Sequence, residues 1–167
     1  MIQPLLSDYA FLADIAAARA EAAPNTLHAW WLGQSGFLIG HDGNFLLFDP
    51  YLSDSLTKKY AATDKPHVRM TARVVDPARL NFISVVTSSH NHTDHLDAET
   101  LLPLLAAAPK AKLVAGAANL DFVGERLGRN LASRIEPLAQ GERTTLGKFT
   151  LEAVPAYCVE SVPQALA

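Results

Sequence analysis

A chain of 167 residues, 49% of them hydrophobic and 19% charged, is long enough for one cored domain and too short to make two the expectation. A formal net charge of −3 gives no basic footprint for nucleic acid, and no stretch approaches the roughly 20 apolar residues of a membrane span. One cysteine, Cys158, excludes an internal disulfide, and Met1-Ile2-Gln3-Pro4-Leu5-Leu6 lacks the basic start of a secretory signal, so a soluble cytoplasmic protein is the expectation.

Ser7 to Ala23 has the composition of a helix, with Ser7 as N-cap and Pro24 as stop, and reads as an N-terminal addition spanning residues 1–24 of a single domain. Leu27 to Leu32, Phe37 to Ile39 and Phe45 to Phe48 are short aliphatic and aromatic runs separated by Gly-rich turns, the pattern of antiparallel strands. Asp49-Pro50 ends the third run, because proline fixes its own φ and donates nothing to a ladder. Ser53 to Arg79 is polar and irregular, a long loop broken at most by short helical turns.

Phe82 to Thr87 reads as a buried strand, and a histidine-rich stretch starts just beyond it. A helix from Asp97 to Ala108, capped near Asp97 and stopped by Pro109, then a strand at Lys112 to Ala115, give the strand, loop, helix, strand order of α/β architecture. Asn119 to Leu127 reads as another helix, Arg134 to Leu138 as a strand, and Arg143 to Leu146 with Phe149 to Val154 as a hairpin around Gly147.

The chemistry concentrates in His90-Asn91-His92-Thr93-Asp94-His95, which holds three of the six histidines. Imidazole nitrogen is a good borderline ligand for a divalent cation, and a carboxylate can complete or orient the shell. A loop at the end of a strand can aim those groups at one point, whereas a helix would place positions i and i+2 on different faces. The bland alternative is a polar loop that happens to be rich in histidine. His28, His41 and His67 stand singly and read as surface or turn residues, and Trp30 and Trp31 as packing anchors of the sheet. Lys58, Lys59, Lys65 and Arg69 would either attract an anionic substrate or line a solvated loop. Gly33 and Gly36 do not form a phosphate-binding loop, since no helix beginning Lys-Ser or Lys-Thr follows.

His-x-His-x-Asp-His after a hydrophobic strand resembles the signature of the metallo-β-lactamase superfamily, and Phe45-Leu46-Leu47-Phe48-Asp49-Pro50-Tyr51 resembles its first motif, a strand ending in Asp. The stretch Trp30-Trp31-Leu32-Gly33-Gln34-Ser35-Gly36-Phe37-Leu38-Ile39 is further similar to the N-terminal hairpin of the L-ascorbate-6-phosphate lactonase-like branch. The resemblance implies an α/β fold, the αββα sandwich, with the N-terminal half largely complete and the C-terminal half mostly missing. It implies that His90 and His92 bind one metal, that Asp94 and His95 belong to a second, that Asp94 is catalytic, and that Asp49 supports the loop. Locally, Asp49 reads equally well as a plain Asp-Pro turn. Two divalent cations, zinc or else manganese or iron, would share a hydroxide and direct it at a small ester, lactone or phosphorylated substrate.

The chain departs from the superfamily pattern after the motif, since no histidine follows His95 and Cys158 stands where a further ligand histidine is expected. A thiolate can bind zinc, so Cys158 is either a replacement ligand or a chance cysteine in a divergent tail. Two readings follow: a metal-dependent hydrolase, or a non-catalytic half-domain that associates through an uncovered sheet as a homodimer or with a complementing chain. Nucleic acid is not an expected partner.

Overall fold

The computed structural model describes residues 1–21 and 25–155, and Cys158 lies outside them. Helix α1 (Asp8–Glu21) buries Phe11 and Ile15 and leaves its other faces to solvent. Strands β1 (Leu27–Trp31), β2 (Phe37–His41) and β3 (Asn44–Phe48) form an antiparallel meander. Asp42 and Gly43 close β2 onto β3 with φ of 47° and 72°, the paired left-handed conformations that a two-residue hairpin needs to match strand twist.

From β3 onward the sheet turns parallel. Strands β4 (Val85–Ser88), β5 (Lys112–Gly116) and β6 (Ile135–Leu138) add in sequence, giving a six-stranded order β1-β2-β3-β4-β5-β6. The crossovers carry α2 (Ser55–Tyr60), α3 (Ala98–Ala107) and α4 (Leu120–Leu127). Because the strands add in one direction, right-handed crossovers put their helices on one face of the sheet.

Strand alternation divides the core accordingly. Phe45, Leu47, Val86 and Leu113 point to the helical side and join Phe11, Leu101, Leu104, Val123 and Leu127. The intervening Leu46, Val85 and Val114 face the other way and pack with Leu138 and Phe149, the latter from a separate two-stranded hairpin, β7 (Arg143–Leu146) and β8 (Phe149–Glu152). Full burial of one such aliphatic or aromatic side chain stabilises by about 1.5–3 kcal/mol, so both layers hold the sheet. Beyond the hairpin, on the same side, Trp31, Phe37 and Phe48 stand opposite one another on three adjacent strands and are 57%, 46% and 46% exposed.

Some boundaries differ from the sequence reading, while the long polar stretch is broken by short helical turns as expected. The long polar stretch contains α2 and a 3-10 turn at Pro77–Arg79, the latter capped by the Asp76 carboxylate, which accepts from the Ala78 amide at 2.9 Å. β4 starts at Val85, and Phe82 lies in the preceding turn, edge-on to Phe45 with ring centroids 5.0 Å apart. Asp97 is the N-cap residue of α3, yet its buried carboxylate accepts from Ser55 Oγ at 2.9 Å and Thr100 Oγ1 at 2.5 Å and caps no backbone amide. Thr100 Oγ1 in turn accepts from the Leu52 amide at 2.8 Å, which ties the segment after β3 to the helix after β4.

Candidate metal centre

Two neighbouring parallel strands end side by side, and their carboxyl ends supply the site, as is usual for ligand sites of parallel sheets. β3 delivers Asp49 and β4 delivers the loop that contains His90, His92, Asp94 and His95. Asp49 is buried and has φ of 43°, a left-handed conformation that aspartate and asparagine tolerate better than most residues. Its amide donates to Thr87 Oγ1 at 3.1 Å, and its carboxylate accepts from Thr87 Oγ1 at 2.6 Å, from the Ser89 amide at 3.0 Å, from Ser89 Oγ, and from His95 Nδ1 at 2.7 Å.

Those bonds set the imidazole tautomers. A carboxylate only accepts, so His95 Nδ1 must carry a proton, and in the neutral ring the Nε2 lone pair lies on the side of Asp94, whose Oδ2 is 3.6 Å away. The Ser89 hydroxyl spends its one proton on Asp49 and therefore accepts from His90 Nδ1 at 3.0 Å, so His90 also presents a bare Nε2. The His90 ring centroid lies 4.1 Å from that of His95 and 4.6 Å from that of His92. Burial would raise the Asp49 carboxyl, but the hydrogen bonds from His95, Ser89 and Thr87 outweigh it and hold the group below its ordinary value. The bond to Asp49 raises His95 above the ordinary imidazole value against the effect of burial. Burial, with the neighbouring His95 and His92, lowers His90 and keeps it in the neutral form that a cation requires.

Asp49, His90 and His95 each bring one ligand atom within 4.8 Å of the others, so an Asp/His/His cluster able to hold a cation is present. Two ligands about 2.0–2.1 Å from one tetrahedral ion lie roughly 3.3 Å apart, and the Asp49–His95 contact is much shorter than that. That contact is a hydrogen bond, and it gives Asp49 the task of orienting imidazoles, in the manner of the carboxylates behind metal-bound histidines. The donor set therefore fits a divalent cation, with imidazole nitrogens on one side and the half-exposed Asp94 carboxylate beside them.

Several contributors carry no motif. Arg126 on α4 donates through Nη1 to the carbonyls of Asn91 and Leu96, the latter at 3.3 Å, and so clamps both ends of the loop. Ser35 Oγ donates to the Asp94 carbonyl at 3.3 Å from the turn between β1 and β2. Thr87 and Ser89 have a faint signal, as hydroxyl residues at a strand end next to the motif, whereas Arg126 has none because it lies more than thirty residues away.

The four cations of the long polar stretch separate. Lys58 pairs with Glu99 at 2.7 Å, and buried Arg69 donates to the carbonyls of Tyr51, Ser53 and Thr71. Lys59 and Lys65 line a cavity of about 650 Å³ together with His67, Arg126, His92 and Asp94. His28 stacks on Trp30 and His41 sits by the Thr26 carbonyl, and neither lines that cavity.

Residues 29–165 match the family described as "Beta-lactamase superfamily domain". The chain is 27% identical over 93 residues to the probable L-ascorbate-6-phosphate lactonase UlaG of Escherichia coli, an alignment covering 46% of this chain and 26% of that protein. CmlA, a diiron β-hydroxylase from Streptomyces venezuelae, superposes with a TM-score of 0.56 at 20% identity over 80% of this chain and 24% of that one. A variant of the same hydroxylase gives a TM-score of 0.53 at 20% identity over 89% and 30% of the two chains. The likeness to the hydroxylase is one of fold, and this chain spans about a quarter of the length of the lactonase and of the hydroxylase.

Proposed function

This chain belongs to the beta-lactamase superfamily domain family, and from that premise we propose that it carries the metal-binding loop of a metal-dependent hydrolase acting on a small ester, lactone or phosphorylated substrate. One observation carries the reading: Asp49, directly and through Ser89, turns the Nε2 lone pairs of His95 and His90 away from itself and into the loop that also holds His92 and Asp94. Those four residues would hold the ion or ions, with zinc the first choice and manganese or iron the alternatives. The chemistry such an ion supplies is Lewis-acid polarisation of a carbonyl or phosphoryl group and activation of water toward it. Asp94, half-exposed on the cavity and 3.6 Å from His95 Nε2, would take a proton from an attacking water. Ser89 and Asp49 hold the imidazole protons at Nδ1, and Arg126 keeps the loop from opening.

Elemental analysis of protein purified with zinc or manganese tests this reading. Up to two ions per chain are expected, lost in His92→Ala together with hydrolysis of a chromogenic ester. Protein that stays metal-free and inactive after zinc supplementation overturns it. The exposed row of Trp31, Phe37 and Phe48 favours a second reading, a half-domain that associates through that face with a second copy or a complementing chain. Sedimentation equilibrium separates the two: self-association weakened by Phe37→Ser supports association between copies, and a monomer at every concentration removes it.

A further inference from the structure

The cavity beside the histidine loop has walls of opposite character. One is the loop itself, with His92 and Asp94, and the other comes from the segment after β3, which contributes Lys59, Lys65 and His67. Arg126 lines it too, and Asp94 is the single carboxylate lining it among the described residues.

These cations are not spent on the protein's own acids. Arg73, Arg79, Arg143, Lys58 and Lys148 each have a carboxylate partner, whereas neither Lys59 nor Lys65 has one among the described residues. Lys59 instead donates to Thr93 Oγ1 at 3.5 Å and lies 5.2 Å from the centre of the Tyr60 ring. His67 tilts against the same ring, centroids 6.5 Å apart, and its Nδ1 is buried without a hydrogen-bond partner. Positive charge without a carboxylate partner, gathered on the wall of a concave site, focuses the field on whatever enters. A space of about 650 Å³ suits a small molecule.

We propose that Lys59, Lys65 and His67 form the specificity-determining wall of this site and select small substrates that carry a phosphate or carboxylate group, held opposite the loop of His92 and Asp94. The inference rests on the hydrolase reading for the word substrate, but the anion-binding wall exists with or without an ion on the histidines. A polynucleotide is disfavoured, because the chain as a whole is acidic, at −3, and the positive groups line a cavity.

Calorimetric titration of metal-free protein with inorganic phosphate, and separately with acetate, tests the wall at low ionic strength. Lys59→Gln and Lys65→Gln are each expected to weaken phosphate binding roughly tenfold, the scale of one charged hydrogen bond. Lys58→Gln removes the same charge one residue away, from the pair with Glu99, and is expected to change affinity less than about twofold. Phosphate that does not bind, or that binds Lys58→Gln as weakly as Lys59→Gln, overturns the proposal. A short single-stranded RNA that binds more tightly than phosphate, with steep salt dependence, overturns the small-molecule assignment. Zinc content of the same variants keeps the two readings apart: wild type lacking zinc but binding phosphate defeats the hydrolase alone, and wild type holding zinc but ignoring phosphate defeats the wall alone.

Discussion

Asp49 concentrates several demands on one side chain. It needs a left-handed backbone to leave β3, and, buried at the end of that interior strand, a full set of donors to remain ionised there. Removing it leaves Thr87, Ser89 and His95 without their acceptor at once, and an unsatisfied buried donor costs about 1–3 kcal/mol. Asp49→Ala is therefore expected to lower unfolding free energy by at least ~2 kcal/mol in urea denaturation and to weaken zinc binding 10–100-fold. Unchanged zinc affinity in that variant would show that the imidazoles are oriented by something else. Ser89→Ala is a finer probe, since it cuts only the relay to His90. Its expected signature is a loss of the single His90 tautomer in imidazole ¹⁵N spectra of the metal-free protein, with roughly tenfold weaker zinc binding. A His90 spectrum identical to wild type would remove Ser89 from the relay.

At the scale of elements, the turn between β1 and β2 is a buttress of the site as well as a connection. Gly36 has φ of 86°, and a Cβ on it would lie 2.6 Å from the Asp49 carbonyl oxygen and 2.8 Å from that of Phe48. The β2 entry can lie against the end of β3 only because that atom is missing. Gly43, in the next turn, has φ of 72° but open space where a Cβ would sit. Gly43→Ala should therefore cost only the left-handed strain of about 1–2 kcal/mol. Gly36→Ala should cost clearly more and also weaken zinc binding, because relief of the clash moves the backbone of Asp49. Equal destabilisation of the two variants in thermal denaturation would refute the buttress.

For the whole molecule, a cation held as proposed by the loop after β4 would couple metal binding to unfolding. Zinc at 100 times its Kd stabilises by about 2.7 kcal/mol, and for a domain of this size each kcal/mol moves Tm by about 2–4 °C. Chelation is thus expected to lower Tm by roughly 5–10 °C, and His92→Ala should abolish the difference between zinc-loaded and chelated samples. A Tm indifferent to chelation would mean that the loop holds no ion in solution. The two faces of the sheet are also unequally covered: helices shield one, while the β7–β8 hairpin shields the other through Phe149 and leaves Trp31, Phe37 and Phe48 exposed.

Local pattern decided much of this. The short hydrophobic runs punctuated by Asp42-Gly43 become the antiparallel meander, the β-branched run through Val85 and Val86 becomes a buried strand, and the His-x-His-x-Asp-His spacing marks the loop, because each depends on neighbours within a few residues. That Asp49 supports the loop was implied by the motif resemblance, but its bond to His95, Ser89 as its relay, Arg126 as the clamp and the gathering of Lys59, Lys65 and His67 on one cavity wall were decided only in three dimensions. The physical reason is that each acts across a long stretch of chain or through the direction of a single proton. Sequence spacing encodes neither, and parallel strand pairing brings residues 49 and 89 together forty positions apart.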